Sequence, residues 1–597
     1  MNSPVLLVVD PGYATNPFGN YLGEILKTEG FVAHETAAPA QVDLPYLRRF
    51  PIVILAEMAP DGGRREMLRQ YVSGGGRLLA MRPDPSLAEL FGLRHLRPRE
   101  EMLLQYIGVE PTSEIGRGIE PSSLQYHGVA DEYEVRGAAV VAWLYDDEAT
   151  PSCHPAVVWS RYGEGQAVAF TYDLARSVAF MRQGNPAWAC GPEACEDGDG
   201  IEGIRPIDSF LRQSGESWVN PAKIPIPQAD EQQRLLANCL MELSQDVMPI
   251  PRLWYLPEGK SSVLVMTGDG DDVGFEAFDE VMRTVEEYGG HFSAYLLGLE
   301  GDPSRAQVDD WVGRGHEVAC HVIPFGEEAR PTKAGMEAAY ESFTSRFRSL
   351  FGRDPGPSIR HHWLIWYGWA ETPEIAQRHG VRVDFNYYHG RQWRLPGGRW
   401  VQGYFTGSGL PQRFVKEDGR LLDVFQVLTP WADETQLYKQ QLGVDGATRV
   451  VREMLQAAEA RYPTVFVANF HPGGFRRRNT EPWARNMMQE AVNRGIPIWS
   501  GEELHRFIAA RDAARLSDLT WDGARLGFDL RSDRPCDSLT LMFPARFGGG
   551  RLLAVACDGA TAGFMVETVA GREYAFTVAL GGSHRFTAQY GTGVRNG

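Results

Sequence analysis

Between Ser262 and Trp499 short apolar runs alternate with amphipathic helical patterns, and several of the runs stop abruptly at a charged or polar residue. The series predicts a strand from Val263 to Thr267, a helix from Phe275 to Tyr288 with Phe278, Val281, Met282 and Val285 on its apolar face, and a strand from Phe292 to Leu297. It continues with a helix from Ser304 to Gly313, a strand from His316 to His321, a helix from Lys333 to Phe351, a strand from Ser358 to Arg360, a helix from Thr372 to His379 and a strand from Val381 to Asp384. Strands from Val424 to Leu428, Thr464 to Phe470 and Ile496 to Trp499 complete it. Strands that alternate with helices run parallel, and seven or eight such units over about 250 residues predict a distorted (β/α) barrel.

In a barrel of this kind the reactive groups sit at the carboxyl ends of the strands. Here Val263-Leu264-Val265-Met266-Thr267 runs into Gly268-Asp269-Gly270-Asp271-Asp272, Glu317-Val318-Ala319-Cys320 ends in His321, Ser358-Ile359 ends in Arg360-His361-His362, and Val465 to Phe470 ends in His471. Three carboxylates within four positions repel one another, and a bound cation offsets that repulsion. The plainer reading, a polar turn capping the helix at Phe275, is weakened by the histidines at the other strand ends.

With these motifs the stretch from about residue 252 to 511 resembles the polysaccharide deacetylase (NodB-homology) superfamily, the carbohydrate esterases of family 4 and their family 18 relatives. The family's first motif is an apolar strand, a Thr and an Asp-Asp pair, one Asp serving as base and the next as metal ligand. Its second is Gly-His-Glu followed by a metal-binding His, matched by Gly315-His316-Glu317-Val318-Ala319-Cys320-His321. The resemblance implies Arg360 as the residue that orients the base and His471 as the acid. Two departures stand out. Phe325 occupies the place of the family's next metal His, which leaves His362, or less favourably His361, as the substitute ligand. Counting from Thr267 puts Asp269 in the base position, whereas counting from the pair makes Asp271 the base and Asp272 the ligand; the Asp-x-Asp-Asp form, like family 18, favours a ligand from Asp271 or Asp272.

The implied site therefore has Asp269, Asp271, Arg360 and His471 as catalytic residues and Asp272, His321 and His362 as ligands of a divalent metal, zinc by the mix of Asp and His donors. Trp363, Tyr387 and Tyr388 are candidate platforms for sugar rings, while Trp366 and Trp369, spaced as one helix face, read as core. The implied activity is metal-dependent hydrolysis of N-acetyl groups on a polysaccharide or amino-sugar oligomer. The alternatives are a glycan-binding protein that has lost its metal, for which Phe325 speaks, and a hydrolase of another small amide.

On either side the pattern changes. Residues 1–250 alternate apolar runs such as Val5 to Val9, Ile52 to Leu55 and Leu78 to Ala80 with helices, and carry a hairpin signal at Tyr162-Gly163-Glu164-Gly165. This layout resembles the class I glutamine-amidotransferase-like domains, which implies a flavodoxin-like α/β fold. Met81-Arg82-Pro83 stands where such enzymes hold a nucleophilic cysteine, so a binding or scaffolding role is expected. Residues 251–515 make up the deacetylase-like barrel, and residues 516–597 alternate short strands with Gly-rich turns and predict a small accessory β-sandwich. Its Cys536 and Cys557 are read as buried thiols or a bridge, and Cys190 and Cys195 as loop thiols, a pair or a metal site.

A net charge of -18 over 597 residues excludes nucleic acid as a natural partner, and Arg476-Arg477-Arg478 reads as a solvated turn. No apolar run approaches the roughly 18 residues of a membrane span. A carbohydrate polymer as substrate favours an extracellular or periplasmic location, although Met1-Asn2-Ser3-Pro4 opens no signal peptide.

Overall fold

Near-continuous apolar runs belong in sheets covered on both faces, and the amino-terminal part of the chain builds such a sheet. The computed structural model describes residues 3–189, 205–212, 214–270, 274–298, 302–324, 331–390, 393–475, 480–534, 536–579 and 581–591. The chain is α/β, as expected. Strands His34–Ala37, Val5–Val8, Ile52–Leu55, Arg77–Met81 and Gly165–Phe170 lie side by side in parallel. The sheet continues antiparallel through Pro151–Tyr162, Ala139–Tyr145, Gln105–Val109 and Leu124–Tyr126. Alternate residues feed two cores: Leu7, Ile54 and Leu79 pack towards helices Tyr21–Thr28 and Leu174–Gln183, and Leu6, Val53 and Leu78 towards Leu68 and Val72 of Gly62–Ser73. The expected hairpin is present, with Tyr162 paired to Gly165. Gly163 at its tip has φ +61, and a Cβ there would sit 2.6 Å from the Ser73 backbone.

The second large sheet has ten strands. From one edge it runs Gln412–Val415, Leu421–Gln426, Val383–Asp384, Ser358–His361, Glu317–Val322, Phe292–Leu296, Ser262–Asp269, Thr464–Phe470 and Trp431–Ala432, with Ile498–Trp499 also paired to Ser262–Asp269. Every pairing is parallel except that of Gln412–Val415, a strand the sequence pattern did not signal. Helices Phe275–Glu286, Arg305–Gly313, Lys333–Phe351, Glu371–Arg378, Gly443–Ala460, Glu481–Asn493 and Gly501–Ala513 supply the crossovers. Among the described residues no ladder joins Gln412–Val415 to Trp431–Ala432, so hydrogen bonding leaves the sheet open.

The open edge is covered by the amino-terminal part of the chain together with the end of helix Gly501–Ala513. The Gln183 amide accepts from Val415 N at 2.8 Å and donates to Val415 O at 2.9 Å, as a neighbouring strand would. Beside it Gln412 Nε2 donates to Thr28 Oγ1 (2.9 Å), and Arg413 binds Glu24 and both carboxylate oxygens of Asp512. Asp230, in helix Gln228–Ser244, receives Ser408 Oγ and Gly409 N.

Past Ala513 the chain forms a six-stranded sheet, Arg515–Trp521, Arg525–Ser532, Gly582–Gly591, Gly550–Cys557 and Arg546–Phe547 with Ala560–Ala562 on its flank. A four-stranded sheet, Arg252–Leu253, Leu539–Pro544, Arg572–Ala579 and Met565–Val569, takes its first strand from the segment before the central sheet. The two sheets meet through Phe528 and Phe543, ring centroids 5.8 Å apart. Cys536 and Cys557 are unbridged and half-buried, not buried thiols and not a disulfide. Cys190, Cys195 and Arg476 to Arg478 lie outside the described residues. Among the described residues no helix is long and apolar enough to cross a membrane.

Candidate functional site

Ser262–Asp269 pairs residue by residue with Thr464–Phe470, which puts Thr267 opposite Asn469 and carries Asp269 and His471 out at the same carboxyl edge. Thr267 Oγ1 donates to Asn469 Oδ1 at 3.1 Å, and this fixes the amide so that Asn469 Nδ2 donates to Asp269 Oδ1 at 2.7 Å. One oxygen of a buried carboxylate is thereby held and oriented. The other, Asp269 Oδ2, lies 3.5 Å from His321 Nε2.

His321 is fully buried at the end of Glu317–Val322, in register with Arg360. Its Nδ1 lies 2.9 Å from Arg360 O, and since a carbonyl only accepts, Nδ1 carries a proton and donates. Its Nε2 faces Asp269 Oδ2 and, at 3.3 Å, His362 Nδ1. A carbonyl behind the far nitrogen is the usual setting of a metal-binding histidine. The donor set fits a zinc-like cation.

The chain reaches this position through a strained turn. Trp363 and Leu364 follow His362 with φ of 55° and 58°, a left-handed conformation costing on the order of 1 to 3 kcal/mol per residue. Arg205 Nε holds the turn by donating to Trp363 O at 3.0 Å. Of the two adjacent histidines the structure separates the roles: His361 is engaged on both nitrogens, by Tyr340 Oη at 2.6 Å and Ile365 O at 2.8 Å, and burial pushes it down to about 3. Asp271, Asp272 and Phe325 lie outside the described residues.

His471 has a partner that the sequence reading missed. Asp433, buried beside the two-residue strand Trp431–Ala432, accepts from His471 Nδ1 at 2.7 Å and from His471 N at 3.0 Å. Burial opposes the charged ring, but the carboxylates of Asp433 and then Asp269 outweigh it and hold the imidazole well above its ordinary value. The raised value and the occupied Nδ1 side suit a proton donor.

Arg360 is a buried guanidinium; Nη2 donates to Thr429 Oγ1 at 3.0 Å, its carbon lies 5.8 Å from the Tyr388 ring centre, and among the described residues Nε and Nη1 have no hydrogen-bond partner. On the neighbouring strand burial raises Asp384 to about 7 against the bonds from Asn386 and the charge of Arg360. The expected aromatic platforms divide. Trp363 is 46% exposed, its ring beside His362. Tyr388 is buried, its hydroxyl donating to Glu434 Oε1 at 2.9 Å. Tyr387 corrects the expectation: only 1% exposed, its ring packs against Phe210, Trp366 and Phe414. Trp366 and Trp369 are core, as their spacing suggested.

In the Gly315-His316-Glu317 motif the first histidine and the glutamate build the frame. His316 Nδ1 accepts from Phe292 N, and its Nε2 faces Glu286 Oε1 at 2.8 Å. Glu317 receives Ser293 Oγ, Ser358 N, Ser358 Oγ and Glu502 N, tying three strands and the start of Gly501–Ala513 together below the site.

No protein-family model and no curated protein matches the chain. Among solved structures it is similar to Agd3, a carbohydrate deacetylase, at 11% identity over 98% of each chain with a TM-score of 0.41. It is also similar to the cold-adapted β-galactosidase of Rahnella sp. R3, at 16% identity over 29% of each chain with a TM-score of 0.24. A ThuA-like protein from Bacteroides uniformis is similar at 11% identity, over 29% of this chain and 83% of that one, with a TM-score of 0.24. The chain spans less than a third of the length of the β-galactosidases it matches. With TM-scores below 0.5, none of these likenesses assigns an activity.

Proposed function

We propose that the protein is a metal-dependent hydrolase that removes N-acetyl groups from a polysaccharide or amino-sugar oligomer. In this reading the central sheet is a distorted deacetylase-type barrel, the amino-terminal part a flavodoxin-like scaffold without a nucleophile, and the last two sheets an accessory β-sandwich. The observation that carries it is the pairing at one strand edge of a carboxylate oriented by Asn469, at Asp269, and an imidazole held by Asp433, at His471.

His321 and His362, with Asp272, would hold a divalent cation of zinc type. Such an ion polarises an amide carbonyl and lowers the pKa of water towards ~7. Asp269, or Asp271 in the alternative register, takes the proton of the attacking water. Asn469 keeps the Asp269 carboxylate turned to receive it. His471 delivers a proton to the departing amine, and Asp433 stabilises the ring until it does. Arg360 brings a buried positive charge that steers the acidic groups, and Trp363 offers an exposed ring to a sugar face.

The test is to measure metal on purified protein and then acetate release from acetylated hexosamine oligomers by wild type, Asp269→Asn, Asp272→Asn and His471→Ala. Bound metal and a loss of about 10² to 10⁴ in rate in each variant are expected. Metal-free, inactive protein would instead support a glycan-binding role, which Phe325 favours; ammonia or a ring-opened product in place of acetate would point to another amide substrate.

A further inference from the structure

A second group of metal-type donors lies on the six-stranded sheet. Strand Gly550–Cys557 turns into Ala560–Ala562 through Asp558 and Gly559, whose φ angles of 50° and 82° make the two-residue hairpin that Asp-Gly favours. The turn sets Cys557 and Asp558 beside His584 of Gly582–Gly591, the strand whose Phe586 pairs with Cys557. One donor atom from each of Cys557, Asp558 and His584 lies within 4.8 Å of the other two. Cys557 Sγ is 3.9 Å and His584 Nδ1 2.8 Å from the same oxygen, Asp558 Oδ2.

Outer contacts orient two of these groups. Arg585 N donates to Asp558 Oδ1 at 2.8 Å, and His584 Nε2 lies 3.3 Å from Gly581 O. His584 thus meets Asp558 Oδ2 through Nδ1 and Gly581 O through Nε2, so a cation on Nδ1 would take the place of the proton shared with Asp558 while the Nε2 contact keeps the ring's orientation.

We propose that Cys557, Asp558 and His584 form a site for a borderline-soft divalent cation, of the zinc or cobalt class, with solvent as the fourth ligand. A thiolate, an imidazole and a carboxylate match that class, whereas magnesium and calcium take six or more oxygens. Bond lengths of about 2.0 to 2.3 Å in a tetrahedron separate ligand atoms by roughly 3.3 to 3.8 Å, so the His584 and Asp558 donors must part by about half an ångström. An exposed hairpin turn accommodates that shift. The bound ion would pin the turn to the adjacent strand, and the site stands apart from the proposed catalytic centre, which uses no cysteine.

The test uses reduced, chelator-stripped full-length protein titrated with Co²⁺. A thiolate-to-cobalt charge-transfer band is expected in wild type and in His321→Ala, lost in Cys557→Ser, and needing at least ten times more cobalt in His584→Ala. Independently, Zn²⁺ should slow iodoacetamide alkylation of Cys557, followed by peptide mass spectrometry, at least tenfold in wild type and not in His584→Ala. No charge-transfer band in wild type, an undiminished band in Cys557→Ser, or Cys557 alkylated equally fast with and without Zn²⁺ would overturn the proposal.

Discussion

Replacing Asp433 by Asn removes one charge and one acceptor: the amide keeps the size of the carboxylate and an oxygen for Glu434 N, which Asp433 Oδ1 now accepts at 2.7 Å, but its NH2 takes the place of the Oδ2 that accepts from His471 N at 3.0 Å. The charge it removes sits 2.7 Å from His471 Nδ1. With charge centres near 4 Å and an effective dielectric of about 20, the attraction is roughly 4 kcal/mol before screening. The His471 side chain is 26% exposed, so solvent screens part of that attraction, and the remainder sets how far the ring's pKa falls in Asp433→Asn. With burial then unopposed by Asp433, a larger fraction of the ring is neutral at pH 7 and has no proton to donate. The stability that the raised pKa contributes is fully present below the unfolded value of about 6.5 and is lost as pH rises through the folded value, so Asp433→Asn also removes stability below and around neutrality. NMR titration of the His471 ring in wild type and Asp433→Asn, assigned with His471→Ala, reads the shift directly. The alkaline limb of the rate profile should move down by the same amount, and Asp269→Asn should shift His471 less, as the weaker of the two influences. A His471 that titrates at the same pH in both proteins, or that moves further in Asp269→Asn, would refute this account of the proton donor.

Other perturbations have equally definite outcomes. Asp384, raised to about 7 by burial, keeps a proton in the folded chain that the unfolded chain releases near 3.8, so its contribution to stability is full below that value and lost as pH climbs through about 7. The fall in melting temperature from pH 5 to 8 should therefore be shallower in Asp384→Asn, and an unchanged slope would contradict it. Glu317→Ala strands four donors beneath the site and should cost about 3 kcal/mol or more, read as a lower urea midpoint at unchanged m-value. Trp363→Ala removes an exposed ring and should raise KM for oligomeric substrate by about 2- to 10-fold, the equivalent of roughly 0.5 to 1.5 kcal/mol, with kcat and melting temperature unchanged. A fall in kcat alone would assign Trp363 to the chemistry instead.

The carboxyl-edge residues were legible because their signal is local. A strand announces itself by a continuous apolar run, and the residue at which the run breaks is by geometry at the strand's end, so Asp269, His321, Arg360 and His471 could be placed on one edge from periodicity alone. The division of labour among them was not legible. His361 and His362 are neighbours of the same type, and only the left-handed turn at Trp363 and Leu364, with Tyr340 and Ile365 claiming His361, leaves His362 beside His321.

The sequence by itself determined the α/β class, the alternation of the longer strands and helices in the central region, and the polar residues at which several of those strands stop, but not the strands Gln412–Val415 and Trp431–Ala432. Tertiary structure alone decided what those residues touch. Asn469 reaches Asp269 across 200 positions through strand register, and Asp433 reaches His471 across 38 from a strand too short to leave a pattern. Tyr387 and Tyr388 are adjacent and alike in the sequence, yet Tyr388 lies beside Arg360 while Tyr387 enters a cluster completed by Phe210, far back in the chain. The physical reason is that periodicity encodes the direction a side chain takes from its own backbone. Burial, charge and partner are set by whatever distant segment packs against it.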